Sequence, residues 1–337
     1  MSRAFVLGGT GQIGLAVCER LLRAGWEVSA ASRAEHPVPD GVRHVRVDRG
    51  AGIDEAAGAD LVVDVVAYTH RDAEQLNALA GRVGSVVAIS SASVYADDQG
   101  RTLDEATDDA SFPSLPVPIP ESQRTVEAGE ETYSTQKAAM ERALLEGPLP
   151  ATIPRPCAIH GPGSALPREL FFVQRALDGR RPVVLASRGE SRFHTTSVAN
   201  LAELVLLAAE RPAKRVLNCG DPDPPSVLEI SRAVGVAMGR EFVEVLLPES
   251  GYEQPVGRHP WAVPRPLIVD MSPAERELGY RPVTTYPEAV SETVAWLTDE
   301  LRRASWREWL PDFAVEYLGR YFDYEAEDAF LAALAGS

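Results

Sequence analysis

The sequence has few cysteines, fewer basic than acidic side chains, and no long apolar run. Its three cysteines are isolated from one another and form no C-x-x-C pair, so neither a disulfide framework nor a metal site is predicted. The 33 lysines and arginines are outnumbered by 49 aspartates and glutamates, and the net charge of −16 argues against nucleic-acid binding. No apolar stretch approaches the ~20 residues of a membrane-spanning helix, and no leader pattern opens the chain. We therefore expect a cytoplasmic protein that binds neither nucleic acid nor a membrane.

The most informative segment is a glycine-rich turn near the N-terminus. An apolar strand at 5–7 is followed by Gly-Gly-Thr-Gly-Gln-Ile-Gly at 8–14, and apolar residues at helical spacing come next. Glycines let the backbone turn sharply and approach a phosphate, and the first N–H groups of the helix point at the negative charge. This context predicts a dinucleotide site that includes Gly8, Thr10, Gly11, Gln12, Ile13 and Gly14. The alternative is a tight turn that binds no ligand.

Strand and helix patterns alternate through the first half of the chain. Apolar strand patterns occur at 5–7, 27–31, 42–47, 61–67 and 85–90, and helical patterns at 12–24, 72–82 and 129–146. This alternation is typical of an α/β fold with a Rossmann-type, doubly wound parallel sheet. Between the last of these strands and the helix at 129–146, residues 97–131 are rich in proline and acidic residues, and they predict a long ordered loop near the active face.

The second half predicts a smaller substrate domain. Short strands at 183–186 and 216–219 mix with helices at 166–178, 198–209 and 227–238. We expect a dinucleotide-binding domain at 1–160 plus about 192–220, and a substrate domain at about 161–191 and 221–297. Residues 298–337 form an aromatic and acidic helical tail. It is expected to pack on its own domain, and a subunit contact or a lid is the alternative.

Two motifs carry candidate chemistry. Ser91 follows the strand at 85–90, at the edge of a parallel sheet where ligands bind. Tyr133 and Lys137 are four residues apart and share one helix face. A lysine ammonium beside a phenol lowers the phenol's pKa from about 10 toward neutrality, which would make Tyr133 a usable general acid or base. Each motif alone also fits a solvated helix face or a capped loop, but together they predict a catalytic site.

The sequence resembles the extended short-chain dehydrogenases/reductases, the NAD(P)-dependent epimerase/dehydratase family. The resemblance spans about residues 2–297 and rests on the segments 8–14, 90–95, 133–137, 155–163, 194–199, 218–221 and 270–282. It implies that Ser91 holds the substrate oxygen, Tyr133 transfers a proton, and Lys137 lowers the pKa of that tyrosine and binds the nicotinamide ribose. It further implies that Asp48 contacts adenine. The remaining cofactor contacts that it implies are Val66 and Ala67 on the adenosine side and Pro156 at the nicotinamide.

The second strand pattern bears on the choice of cofactor. An NAD enzyme usually ends this strand with an acid that binds the ribose 2′-hydroxyl, but here the residues are Ser32 and Arg33. A hydroxyl and a guanidinium suit a 2′-phosphate. NADP is therefore favoured over NAD, and a plain surface arginine is the alternative interpretation.

Departures from the family pattern narrow the range of reactions and substrates that we expect. Dehydratases have Asp-Glu after the catalytic hydroxyl, where this chain has Ala92 and Ser93, so dehydration is not expected. The usual diphosphate contacts are replaced by Ala158 and Glu190, which argues against a nucleotide-sugar substrate, although Arg192 could replace one contact. His160 is expected to be structural, with a substrate contact as the alternative, and His194 is expected to be structural.

These observations predict an oxidoreductase that moves a hydride between a nicotinamide cofactor and a carbonyl or alcohol carbon of a small molecule. One alternative is a sugar or nucleotide-sugar epimerase with tightly bound NAD. Another is a cofactor-sensing binding protein on the same fold. A homodimer through the helix that carries Tyr133 is expected by resemblance.

Overall fold

Parallel strands and their crossover helices form the centre of the protein. The computed structural model describes residues 1–248 and 256–336. The strands are β1 (Arg3–Leu7), β2 (Glu27–Ser32), β3 (Arg43–Arg46), β4 (Leu61–Asp64), β5 (Ser85–Ala88), β6 (Ala151–Pro156), β7 (Ala158–His160), β8 (Pro182–Leu185), β9 (Thr195–Ser197), β10 (Arg215–Cys219) and β11 (Val243–Leu246). The helices are α1 (Gln12–Arg23), α2 (His70–Asn77), α3 (Tyr133–Glu146), α4 (Leu170–Leu177), α5 (Val198–Glu210), α6 (Val227–Ala237), α7 (Ser272–Leu278), α8 (Tyr286–Arg303), α9 (Trp306–Trp309), α10 (Asp312–Gly319) and α11 (Tyr324–Ala335).

Seven strands pair in the order β10-β6-β5-β4-β1-β2-β3, and every pair is parallel. Because helices cover both faces, the central strands are apolar on both sides. In β1, Ala4 and Val6 join a core with α1 and α5, whereas Phe5 and Leu7 join a second core with α2 and α3. The order 3-2-1-4-5-6 is that of a doubly wound dinucleotide-binding sheet. The predicted fold class is confirmed.

Several predicted boundaries are wrong by a few residues because capping residues set the helix starts. The helix predicted from 129 begins at Tyr133, since the hydroxyl of Thr132 accepts a hydrogen bond from the backbone N–H of Thr135. The helix predicted at 72–82 begins at His70 behind the cap Thr69. In the second half, β8 pairs with β11 in a separate small sheet, while β10 joins the main sheet.

The second half and the tail share one apolar core. Helices α4, α6 and α8 pack there with the buried tail residues Trp306, Leu310, Ala314 and Leu318. The tail therefore packs on its own chain, as expected. Helix α8 continues through residue 298 to Arg303, so the separate tail helices begin only at Trp306. The division of the chain into two domains stays a prediction.

A buried polar cluster around Asp221 joins the segments that follow the sheet. One carboxylate oxygen of Asp221 lies 2.7 Å from Nε2 of His160, at the end of β7. The other accepts hydrogen bonds from the backbone N–H of Ser197 and from Nδ2 of Asn200, both at 2.7 Å. The same Asn200 amide also donates to the carbonyl of Thr284, just before α8, at 2.9 Å. All of the cluster's carboxylate, imidazole and amide groups are buried.

Candidate active site

The glycine-rich turn lies at the carboxyl edge of the sheet and has the shape of a phosphate cradle. Gly8 adopts a φ of 76°, in the left-handed region that favours glycine. A Cβ at Gly14 would overlap the carbonyl oxygen of Gly8, so the turn can pack against α1 only without a side chain there. Gly11 caps α1 without a side-chain hydrogen bond, which leaves the first N–H groups of the helix open to an anion.

Two cavities flank this turn. The first, of about 800 Å³, is lined by seven of the predicted cofactor residues, namely Gly8, Thr10, Gly11, Ser32, Arg33, Asp48 and Val66. The second, of about 640 Å³, is lined by Gln12, Ile13, Ser91, Tyr133, Lys137 and Pro156. Gly14 and Ala67 are buried and line neither cavity, and the carbonyl of Ala67 accepts a hydrogen bond from Lys137. The structure thus brings the predicted residues to one edge of the sheet.

The first cavity has two guanidinium groups with different surroundings. Arg49, which the sequence reasoning missed, places Nη1 2.5 Å from Asp64 and Nε 2.7 Å from Asp72. Burial raises the pKa of the Asp64 carboxyl, and Arg49 opposes that rise. Arg33 is exposed and makes no hydrogen bond or ion pair within residues 1–248 and 256–336. Arg49 is therefore neutralised by two carboxylates, whereas the charge of Arg33 is available to a ligand.

Neighbouring polar groups of the first cavity are held by the backbone. The hydroxyl of Ser32 donates to the carbonyl of Ala34 at 2.6 Å and lies 2.8 Å from Nε2 of His44. The carboxylate of Asp48 is exposed and accepts a hydrogen bond from the N–H of Gly50 at 3.0 Å. Both side chains remain at the cavity wall, where a ribose or an adenine could reach them.

Capping interactions position the hydroxyl groups of the second cavity. Ser91 follows β5, and its Oγ accepts a hydrogen bond from the N–H of Ser93 at 3.1 Å. Tyr133 is the first residue of α3 and is 39% exposed, on the wall of the cavity. Its ring packs edge-on against Tyr68 with centroids 5.3 Å apart. Tyr68 follows β4 at the same sheet edge, a placement that could have identified it from the sequence.

Lys137 is almost completely buried beneath these rings. Its Nζ donates hydrogen bonds to the carbonyls of Ala67 at 2.6 Å and Ile89 at 2.8 Å. The same atom lies 4.4 Å from the centroid of Tyr68 and 5.8 Å from that of Tyr133. Burial lowers the pKa of Lys137 to about 8, although nearby carboxylates, Asp64 first among them, oppose the shift.

The predicted lowering of the pKa of Tyr133 is wrong for this structure. Burial raises the pKa of its phenol to about 12, Tyr68 adds to the rise, and a hydrogen bond with the Ser91 side chain opposes it. The ammonium of Lys137 is held by backbone carbonyls instead of by the phenol oxygen. Tyr133 is consequently a neutral phenol at pH 7 and is equipped to donate a proton.

Of the positions where the chain departs from the family pattern, Ala92 and Ser93 line the second cavity, whereas Ala158 and Glu190 do not. Glu190 is exposed, and Arg192 donates to the carbonyl of Pro224 and pairs with Glu229 at 3.5 Å. That Arg192 replaces a diphosphate contact stays a prediction. His194 accepts a hydrogen bond at Nδ1 from the N–H of Val269 and places Nε2 2.8 Å from the Asp221 carbonyl. Both His194 and the Asp221-bound His160 are thus structural histidines, as expected.

The remaining wall of the second cavity is mostly apolar and comes from distant parts of the chain. The long loop, which begins at residue 97, contributes Leu103, Ala106 and Phe112, and the segment at 260–263 contributes Val263. Tyr317 of the tail helix α10 also reaches this wall, and its hydroxyl lies 3.5 Å from the carbonyl of Pro260. The sequence reasoning missed this residue, because no motif connects the tail to the site.

Across the described ranges, no three His, Cys, Asp or Glu side chains are grouped so that they could hold a metal ion. Nor does any helix within these ranges have the length and apolar character to span a bilayer. The three cysteines are free thiols, and burial raises the pKa of each.

The fold and the site together define an enzyme that uses a nicotinamide dinucleotide. A family model described as "NAD dependent epimerase/dehydratase family" matches residues 4–220. A 2'-dehydrokanamycin reductase of Streptomyces kanamyceticus is 27% identical over 322 residues, which cover 88% of this chain and 84% of the relative. A dTDP-L-rhamnose 4-epimerase of Burkholderia thailandensis is 23% identical over 220 residues, or 62% and 58% of the two chains.

Solved structures agree on the fold. The UDP-glucuronic acid 4-epimerase of Bacillus cereus, in complex with UDP-glucuronic acid and NAD, superposes with a TM-score of 0.64 at 16% identity. The match covers 88% of this chain and 99% of that one. The chain belongs to the NAD dependent epimerase/dehydratase family, which is the family that the sequence resembles.

The residues present fit a nicotinamide dinucleotide. The uncapped start of α1 and the glycine turn suit the pyrophosphate, and the two cavities on either side of the turn suit the two nucleoside halves. When bound, this group supplies the hydride chemistry. The chain is thus an NAD(P)-dependent enzyme of the oxidoreductase and epimerase type.

Proposed function

We propose that the protein is a reductase of a carbonyl group on a small molecule. The observation that carries this proposal is the neutral phenol of Tyr133, which faces a largely apolar cavity beside the Ser91 hydroxyl. A phenol that keeps its proton at pH 7 is suited to protonate the oxygen of a carbonyl as that oxygen gains negative charge. The relative that acts as 2'-dehydrokanamycin reductase supports the same direction.

Each catalytic side chain has a distinct role in this proposal. Ser91 donates a hydrogen bond to the substrate oxygen and fixes its position. Tyr133 Oη gives its proton to that oxygen, which leaves a phenolate on the enzyme. The ammonium of Lys137, 5.8 Å from the centre of the ring, stabilises this phenolate through the low-dielectric interior. Tyr68 packs against the ring of Tyr133 and over the ammonium of Lys137, and so helps to position both.

We further propose that the preferred cofactor is NADP. Arg33 and Ser32 stand where an NAD enzyme usually has an acid, at the end of β2. Arg49 is held by Asp64 and Asp72, so Arg33 is the guanidinium of this cavity that is free to pair with a 2′-phosphate. A planar guanidinium binds phosphate oxygens in a bidentate manner, which supports this assignment.

An epimerase is the second candidate, because one relative is a dTDP-L-rhamnose 4-epimerase. Such an enzyme would hold its cofactor tightly and leave it unchanged after each turnover. Cofactor that purifies with the protein and is not consumed would therefore favour the epimerase. The cofactor-sensing protein would show cofactor binding without any turnover. A homodimer, a cytoplasmic location and the two-domain division stay predictions.

Substitution of Tyr133→Phe tests the proposed function directly. We expect the rate of NADPH oxidation with a panel of aldehydes and ketones to fall about 10²- to 10⁴-fold, because the proton donor is lost. Cofactor affinity, measured by fluorescence titration, should stay unchanged. Tyr324→Phe is the matched control, since it removes a phenol oxygen of the tail that donates a hydrogen bond to Asp178, just after α4. A Tyr133→Phe enzyme that keeps its turnover would refute the role of the phenol.

A further inference from the structure

Arg168 is a cation on the wall of the second cavity that this chain leaves without a partner. It lies just before α4, and its guanidinium carbon is 5.3 Å from the ring centre of Phe193 and 5.6 Å from that of Trp261. Its Nε is buried and has no hydrogen-bond partner. Within the described part of the chain, the side chain forms no hydrogen bond or ion pair at all.

Arg168 as a whole is half-buried, whereas the two arginines that are fully buried among the described residues are both paired with a carboxylate. Arg155 pairs with Glu141 through Nε at 2.9 Å, and Arg175 pairs with Glu327 at 2.9 Å. A buried charge without a carboxylate is costly, so an arginine that is positioned by aromatic rings and left unpaired indicates a ligand that completes it. Arg168 is the exception to the pairing seen at Arg155 and Arg175.

The charge of the cavity wall points to an anion. Lys137 and Arg168 line it, and no Asp or Glu of the described residues does. This local positive charge contrasts with the net charge of −16 on the whole chain. Lys137 is already engaged by two backbone carbonyls, so Arg168 is the cation of the wall that is open to a substrate.

We propose that Arg168 binds a carboxylate on the substrate, an inference that rests on the proposed reductase function. The substrate class is a small carbonyl compound with an apolar body and one carboxylate. The apolar body fits Leu103, Phe112, Val263 and Tyr317, and the carboxylate fits a single planar guanidinium in a bidentate manner. A diphosphate would bring more negative charge than this one open guanidinium neutralises. A cationic substrate would be repelled by Lys137 and Arg168, and no Asp or Glu of the described residues lines the cavity to offset this repulsion.

The test uses three aldehydes of similar size that differ in charge. They are 4-carboxybenzaldehyde, 4-methylbenzaldehyde and 4-(trimethylammonio)benzaldehyde, and each is assayed for NADPH-dependent reduction. The corresponding alcohols are titrated by calorimetry into the enzyme with NADP⁺, which reports binding whether or not turnover occurs. UDP is titrated in the same way as the diphosphate probe. The variants are Arg168→Gln, Arg168→Lys and the control Arg307→Gln, which removes an exposed guanidinium that stacks on Trp306.

We expect the wild type to bind the carboxylate compound at least about tenfold more tightly than the trimethylammonio compound. Arg168→Gln should weaken carboxylate binding about ten- to a hundredfold, with the methyl compound changed by less than about twofold. Arg168→Lys should recover part of the lost affinity, because it restores the positive charge but not the planar guanidinium that binds a carboxylate in a bidentate manner. Arg307→Gln should bind as the wild type does.

Several results would overturn the inference. One is a carboxylate compound that binds no better than the methyl compound, and another is carboxylate binding that Arg168→Gln leaves intact. If both Arg168 variants also lose binding of the methyl compound, the residue has a structural role instead. Tighter binding of UDP would assign the site to a diphosphate. If the carboxylate compound binds most tightly and Arg168→Gln weakens that binding, but none of the aldehydes is reduced, the inference on Arg168 stands and the proposed function fails.

Discussion

Replacement of Glu327 by alanine should release the tail from the body of the protein. Glu327 lies in α11 and pairs with Arg175, whose guanidinium is 2% exposed, at 2.9 Å. Without this carboxylate the buried guanidinium keeps its hydrogen bond to the carbonyl of Tyr321 at 2.8 Å and its stacking on Phe171 at 3.7 Å. Removal of one partner of a buried ion pair costs about 3–5 kcal/mol. Because these contacts remain, we expect a loss of about 3 kcal/mol in the free energy of unfolding.

The neighbouring residue provides a matched control. Asp328 lies on the same helix and pairs with Arg180 at 2.5 Å, but its carboxylate is 63% exposed. Asp328→Ala removes the same charge from the same turn of α11, and water screens that pair. Urea unfolding followed by circular dichroism should show a clear loss for Glu327→Ala and little change for Asp328→Ala.

The size of the loss also depends on how the protein responds. If α11 simply detaches, the cost is limited to the free energy with which the tail docks, and the tail becomes accessible to proteases. Limited proteolysis should then cut Glu327→Ala after α8 while Asp328→Ala stays resistant. Equal losses in the two variants, or a tail that resists cleavage in both, would refute the view that burial makes the Arg175–Glu327 pair the anchor.

Two further predictions concern the cofactor and the proton. Arg33→Ala should weaken NADPH binding about ten- to a hundredfold in a fluorescence titration and leave NADH binding unchanged. The control Arg240→Ala, which removes an exposed guanidinium, should change the binding of neither cofactor. Equal losses of affinity for both cofactors in Arg33→Ala would contradict the 2′-phosphate contact. The rate of carbonyl reduction should be high below pH 8 and fall as the pH rises through about 8, because Lys137 loses its proton there while Tyr133 keeps its own up to about 12. A profile of kcat/KM that stays flat between pH 7 and 9.5 would contradict this assignment, with thermal unfolding at each pH as the control.

The sequence predicted the sheet and the dinucleotide turn because short runs of neighbouring residues determine both. The apolar run at 5–7 and the glycines after it have few alternatives to a buried strand and a tight turn. The motifs at Ser91 and at Tyr133 were expected to meet because parallel strands end at a common edge, and the structure does bring them to one cavity. The roles of these residues stay predictions.

What the sequence did not predict depends on side-chain placement and on contacts between distant segments. Four residues separate Tyr133 from Lys137, but the ammonium turns toward the carbonyls of Ala67 and Ile89, and the pKa of the phenol rises as a result of burial. Tyr317 reaches the cavity only because the tail folds back over the apolar core, and no local pattern contains that information.

The polar cluster at Asp221 has a mechanical consequence. It connects the ends of β7 and β9 to α5 and to the segment before α8 with hydrogen bonds of 2.7 to 2.9 Å, and the three that Asp221 accepts or shares are buried. A hinge between the sheet and the later helices would have to break several of these bonds at once. We therefore expect the crevice to stay rigid while substrates come and go. Substrate would enter and leave instead by movement of the loop that carries Phe112 and of the segment at 260–263. Both line the second cavity and take no part in the hydrogen-bonded cluster.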